Sequence, residues 1–81
     1  MSWFVYMLRC GDGMLYTGVT DDVPRRLAAH CSGKGAKYTR GRGPLKLVYQ
    51  EQVPDKSAAL RREYQIKQLT KQKKEALLAK K

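Results

Sequence analysis

An α+β fold, a three-stranded antiparallel sheet flanked by helices, is predicted for this 81-residue chain by three features of its sequence. Two alternating, β-favouring segments near the start are separated by Gly11-Asp12-Gly13, a tight-turn signal. A third alternating run, Leu45 to Gln50, stands apart from them. Capping residues and helical spacing mark the segment after the hairpin and the whole last third of the chain.

The first strand covers residues 3–9, with Trp3, Val5 and Met7 on one face and Phe4, Tyr6 and Leu8 on the other. Residues 14–19 form the second, so the hairpin carries a tyrosine near the middle of each strand, Tyr6 and Tyr16. Thr20-Asp21-Asp22 then offers capping oxygens and Pro24 suits a first helical turn, which predicts a short helix through Arg25 to His30. Arg26 and His30 are four residues apart and share one face of it.

Residues 32–44 read as a flexible basic loop in which glycines punctuate Lys34, Lys37, Tyr38, Arg40 and Arg42. Neither a Walker A spacing nor a dinucleotide fingerprint occurs in it. The third strand ends before Pro54. Ser57 is placed to cap a helix through Leu69, with Leu60, Tyr64 and Lys67 on one stripe and Leu69 near its edge. Thr70 breaks or re-caps the chain before a last basic helix carrying Leu77 and Leu78. Residues 1–81 are expected to be one domain, with 70–81 a basic helical tail. The sheet is expected to bury one face under helices and leave the other partly wet, where a surface enzyme would work.

Composition bounds the function. Hydrophobic residues make up 42% of the chain, enough to fold and too many for a disordered polycation. Lys and Arg number 17 against 7 Asp and Glu, a formal charge of +10, which points to a polyanionic partner whose phosphates would release counterions. No apolar run approaches a membrane span, and the apolar opening lacks the basic flank and cleavage site of a signal peptide, so a cytoplasmic location is expected. Two cysteines, Cys10 and Cys31, make no disulfide framework and read as free buried thiols. With His30 they offer only an incomplete zinc set. Lys71, Lys73, Lys74, Lys80 and Lys81 have too few apolar neighbours, and no aromatic anchor, to form a membrane-surface helix.

Taken singly, the chemistry-bearing residues have ordinary explanations: strand tyrosines, a solvated arginine, a helix histidine, and Glu63 as an exposed partner for Lys67 four residues on. Their joint spacing changes this. Phe4-Val5-Tyr6 is followed ten residues later by Tyr16-Thr17-Gly18, then by Arg26, His30, Tyr38 and Glu63 in order. In this the chain resembles the GIY-YIG endonuclease superfamily over essentially its whole length, and especially its small stand-alone bacterial branch, with openings like Trp-Phe-Val-Tyr and a loop like Ser-Gly-Lys-Gly-Ala-Lys.

The resemblance implies a nuclease that hydrolyses phosphodiesters with a single divalent ion, Mg²⁺ or Mn²⁺. Glu63 corresponds to the family's carboxylate metal ligand, and Arg26 to the arginine that holds the scissile phosphate in a planar fork. Tyr16 is the first candidate for general base. A phenol of ordinary pKa near about 10 needs a neighbouring positive charge for that role. Tyr6 would orient water or phosphate, with the two tyrosines open to exchange, and His30 is the rival base because its pKa of about 6.5 suits proton transfer near neutrality. Tyr38 corresponds to a family position that contacts phosphate or shields the site, and Gly18 to a place where a side chain would block close approach of substrate. Lys34, Lys37, Arg40 and Arg42 form a substrate-facing basic loop.

The chain departs from the family pattern at Phe4-Val5 and Thr17, at Val19 where some members carry lysine, and in containing no asparagine. Two functions follow. One is a structure- or damage-selective DNA endonuclease of repair or recombination, which without a base-reading module would bind weakly, recognise shape or borrow a protein partner. The other is a nucleic-acid-binding module that cuts poorly or not at all.

Overall fold

The computed structural model describes residues 2–33 and 43–79. Its elements are β1 (Trp3–Arg9), β2 (Leu15–Thr20), α1 (Val23–Cys31), β3 (Lys46–Val53), α2 (Lys56–Lys67) and α3 (Lys71–Ala79). The sheet order is β2-β1-β3 and both pairings are antiparallel, so the three-stranded antiparallel sheet with helices is present as expected. β3 runs three residues beyond Gln50, to Val53.

Local chemistry explains the turns and caps. Between β1 and β2 the Cys10 N–H donates to the Met14 carbonyl, the Asp12 carboxylate accepts from the Met14 N–H at 3.1 Å, and Gly13 takes a positive φ of 87°. Only glycine adopts that backbone without strain. The Asp22 carboxylate caps α1 by accepting from the Arg25 N–H at 3.1 Å, one residue before a helix whose second residue is Pro24. At α2 the cap is Asp55 and not Ser57: its carboxylate accepts from the Ala58 N–H at 2.8 Å, and the helix starts earlier, at Lys56. A carboxylate both satisfies that N–H and complements the positive end of the helix, which a serine hydroxyl cannot match. Thr70 caps α3 through the Lys73 N–H.

Side-chain alternation then assigns the two faces of the sheet. Val5, Met7, Leu15 and Tyr49 meet Ala59 and Ile66 of α2 in the core, with Leu77 and Leu78 of α3 packed against it. The stripe of α2 that faces the sheet is therefore Ala59 to Ile66, whereas Leu60 and Tyr64 are 44% and 67% exposed. This corrects the expected Leu60-Tyr64-Lys67 stripe. The small Ala59 lets the helix approach the sheet closely, which a leucine in its place would prevent.

The opposite face is not wet. α1 lies over it, leaving Tyr6 and Leu8 buried and His30 against Tyr6. Any surface chemistry is thereby displaced to the free edge at β2. α3 is tied to β1 by a two-pronged ion pair, Arg9 Nη2 to Glu75 Oε1 at 2.7 Å and Nη1 to Oε2 at 2.9 Å. Cys10 is buried, but Cys31, the last residue of α1, is exposed, so only one of the two thiols is buried as expected. No helix among the described residues is long and apolar enough to cross a membrane.

Candidate active site

The hairpin and α1 converge because of their spacing. Tyr6 of β1 lies opposite Gly18 of β2, and Leu8 opposite Tyr16, so both tyrosines project from the face that α1 covers. Arg26 and His30, one turn apart on α1, point down at them. The rings form a triangle, with centroids 6.3 Å apart for Tyr6 and Tyr16, 5.9 Å for Tyr6 and His30, and 5.2 Å for Tyr16 and His30. The Tyr6 hydroxyl shares a hydrogen bond with His30 Nε2 at 2.8 Å.

Gly18 makes this packing possible. A Cβ built there would lie 2.6 Å from Tyr6 Oη, so the close approach that glycine permits is that of the Tyr6 phenol. Burial pushes the Tyr6 phenol up to about 12, although Arg26 draws it down. Tyr6 thus keeps its proton near neutrality and serves better as a positioning donor than as a base, which separates the roles of the two tyrosines. The Arg26 guanidinium interacts with both phenols, Tyr6 most strongly. Its neighbour Arg25 turns away to an exposed ion pair with Asp21 at 3.1 Å. Arg26 lines an open cleft of about 360 Å³ with Trp3, Val19 and Thr20, and the Arg25–Asp21 pair stands at the same cleft.

Burial, and then the charge of Arg26, hold His30 below its ordinary pKa. The unfolded ring, titrating near 6.5, binds a proton that the folded ring rejects, so stability is complete above that pH and is lost as pH falls through the lowered folded value. The urea midpoint is expected to fall between about pH 7.5 and pH 5.5, and His30→Gln to remove most of that slope. An equal slope in the variant would assign the effect elsewhere.

Glu63 arrives from α2, on the other side of the β2 edge, with its side chain 19% exposed and held by Lys67 at 3.2 Å. Lys67 in turn lines a 340 Å³ pocket with Leu15, Tyr16, Thr17 and Lys74. Tyr16 is therefore where two neighbourhoods meet: the cluster with Tyr6, Arg26 and His30, and the basic pocket at the end of α2. Arg62 is occupied structurally, donating through Nε to Glu51 at 3.1 Å while the same carboxylate accepts from the Tyr49 hydroxyl. Lys34, Lys37, Tyr38, Arg40 and Arg42 lie outside the described residues.

For a metal ion the donor chemistry is narrow. Among the described residues there is no group of three or more His, Cys, Asp or Glu that could hold an ion, which excludes an all-protein cage built from Cys10, His30 and Cys31 there. Glu63 is a hard oxygen donor acting alone, the kind of site Mg²⁺ occupies while keeping most of its waters. Lys67, already on that carboxylate, would have to share or yield it. Sequence reading passed over the position of Lys67 and Lys74 beside Tyr16, since lysines in a basic tail carry no local signal that singles them out.

The chain belongs to the GIY-YIG catalytic domain family, whose sequence model matches residues 2–76. That span contains the whole cluster and Glu63, and membership places the chain in a nuclease superfamily acting on nucleic acid. Its relatives include UPF0213 proteins. It is 57% identical to that of Cronobacter sakazakii over 96% of this chain and 82% of the relative. Against the UPF0213 protein YhbQ of Escherichia coli K12 it is also 57% identical, over 95% of this chain and 77% of the relative. The solution NMR structure of a UPF0213 protein from Bacillus halodurans superimposes with a TM-score of 0.66 at 54% identity, covering 100% of this chain and 86% of that one. That of an E. faecalis protein gives 0.64 at 41% identity, covering 95% and 83%.

Proposed function

We propose that this protein is an endonuclease that hydrolyses phosphodiester bonds, of DNA in preference to RNA, with a single Mg²⁺ or Mn²⁺ held by Glu63. The observation that carries the reading is the Arg26 guanidinium set against two tyrosines at the edge of an open cleft. In hydrolysis a water oxygen bonds to phosphorus, the ester oxygen leaves, and a proton must be taken from the water. Arg26 would grip the non-bridging oxygens, whose charge rises in the transition state. Tyr16, at the junction of cleft and pocket, would take the proton. Tyr6, kept protonated by burial and fixed by His30, would orient the phosphate or the water. Bound at Glu63, the ion would supply further neutralisation of the phosphate and of the leaving oxygen.

Phosphate contacts of this kind carry no base sequence, so selection by DNA structure or damage, as in repair or recombination, is the proposed specificity, with a partner protein for targeting. One observation favours the binding-only alternative: the Glu63 carboxylate is already neutralised by Lys67.

Supercoiled plasmid and nicked or branched duplexes, with Mg²⁺ or with EDTA, decide between them. The nuclease reading expects metal-dependent nicking that Glu63→Gln and Tyr16→Phe each reduce by about 10²–10⁴-fold while DNA binding persists. Equal nicking by wild type and Glu63→Gln would overturn the assignment. Binding by both with cleavage by neither would establish the binding module.

A further inference from the structure

We propose that the pocket between β2, α2 and α3 is a second phosphate subsite, in which Lys67, Lys74 and the Thr17 hydroxyl hold a backbone phosphate of the same nucleic acid strand a few nucleotides from the bond at Arg26. The inference rests on the nucleic-acid reading above and adds to it a path for the strand. Three observations meet at this pocket. Its polar wall presents two ammonium groups beside Tyr16: that of Lys67 is shared with Glu63 at 3.2 Å, and Lys74 has no acidic partner among the described residues. Thr17, also in that wall, is 3% exposed, and its Oγ1 is buried without a hydrogen-bond partner. An orphaned buried hydroxyl is costly and uncommon in folded proteins, and a ligand oxygen is one way to satisfy it.

The third observation is how α3 is fixed. Residue 75, next to Lys74, makes the two-pronged bridge to Arg9 of the central strand. A lysine in a merely solvated tail would need no such anchor. With it, Lys74 is held at the β2 edge in a defined place, so less side-chain and helix freedom is lost when an anion binds.

Geometry supplies the spacing. The Arg26 cleft is lined by Val19 and Thr20, and the basic pocket by Leu15 to Thr17, on the same edge strand. From Thr17 to Thr20 is about 10 Å at roughly 3.3 Å per residue. That equals about three nucleotides of a duplex strand at ~3.4 Å each. A strand crossing the β2 edge would thus pass from Arg26, beside Tyr16, to Lys67 and Lys74 on the far side.

The test is equilibrium binding of the full chain to a labelled nicked duplex in EDTA, across a salt series, for wild type, Lys74→Gln, Thr17→Val and the control Lys73→Gln, which lies on α3 outside the pocket wall. Lys74→Gln is expected to weaken binding about fivefold and to reduce the salt slope by about 0.9, one phosphate contact, while Lys73→Gln changes either far less. Thr17→Val is expected to weaken binding about threefold yet raise the melting temperature, since it removes the orphaned hydroxyl. Equal effects of Lys74→Gln and Lys73→Gln would overturn the subsite in favour of general charge. So would a Thr17 amide that responds to inorganic phosphate but not to the duplex, which would mark a free-anion site. Failure of the nuclease reading shows separately, as absence of Mg²⁺-dependent cleavage while these binding differences remain.

Discussion

Arg26→Ala is expected to lower the rate of phosphodiester cleavage by about 10³-fold or more, because a single arginine on a transferring phosphate is worth about 10³–10⁵ in rate. The guanidinium has no acidic partner to neutralise it among the described residues; its interactions run to the phenols of Tyr6 and Tyr16. Its whole charge is thus available to the phosphate. Arg26→Lys would restore the charge but not the planar fork, and is expected to recover only part of the loss. Arg26 is half-buried at the cleft, so neither change should unfold the protein. Single-turnover cleavage under saturating enzyme isolates the chemical step from binding. A rate for Arg26→Ala within tenfold of wild type would remove Arg26 from the site and return the phosphate to Arg25 or to the basic loop.

Gly18→Ala is the expected large effect on stability. The added Cβ would stand 2.6 Å from Tyr6 Oη, 2.8 Å from its Cζ and 3.1 Å from Tyr16 Cε2. Tyr6 cannot swing aside easily, being 2% exposed and hydrogen-bonded to His30. Overpacking of this kind costs about 1–3 kcal/mol, and displacing the Tyr6–His30 bond adds about 1 kcal/mol. For a chain of this size, total stability is about 4–12 kcal/mol, so the loss is a large fraction of it. At about 4–8 °C per kcal/mol the melting temperature should fall by about 8–32 °C, measured by circular dichroism. Tyr6→Phe removes the nearest atom of the clash, so the double variant should lose less than the two single changes summed. A melting temperature for Gly18→Ala within about 2 °C of wild type would mean that the phenol is not held where it stands.

Much of the candidate site was legible because its residues stand in a joint spacing that resembles a known family, and local pattern gives the face on which each lies. The spacing of Tyr6, Tyr16, Arg26 and His30 places each on a strand or helix face before any packing is known, and the structure brings these four together. Glu63 was legible as a candidate, and so was its pairing with Lys67 four residues on; its partial burial and its position across the β2 edge from the cluster were not. The helix stripe was misread for a related reason. Ala59 and Ile66 compete with Leu60 and Tyr64 as the apolar face of α2, and hydrophobicity alone favours the larger pair. The cap of the same helix went to Asp55 because the chain enters from Pro54 in an extended conformation that Ser57 never adopts.

By itself the sequence determined the order of elements, the turn at Gly11-Asp12-Gly13, a capping segment at Thr20-Asp21-Asp22 of which Asp22 is the cap, a break or cap at Thr70, and the set of residues from which a site could be built. These depend on contacts within a few residues. Tertiary structure alone decided that α1 covers the second face of the sheet, that Tyr6 is buried and raised while Tyr16 stands at the edge, and that Lys67 and Lys74 line a pocket beside it. It also paired Arg9 with Glu75, 66 residues away. Such choices are settled by which side chains fill the space between elements distant in the chain, and no local pattern encodes that competition.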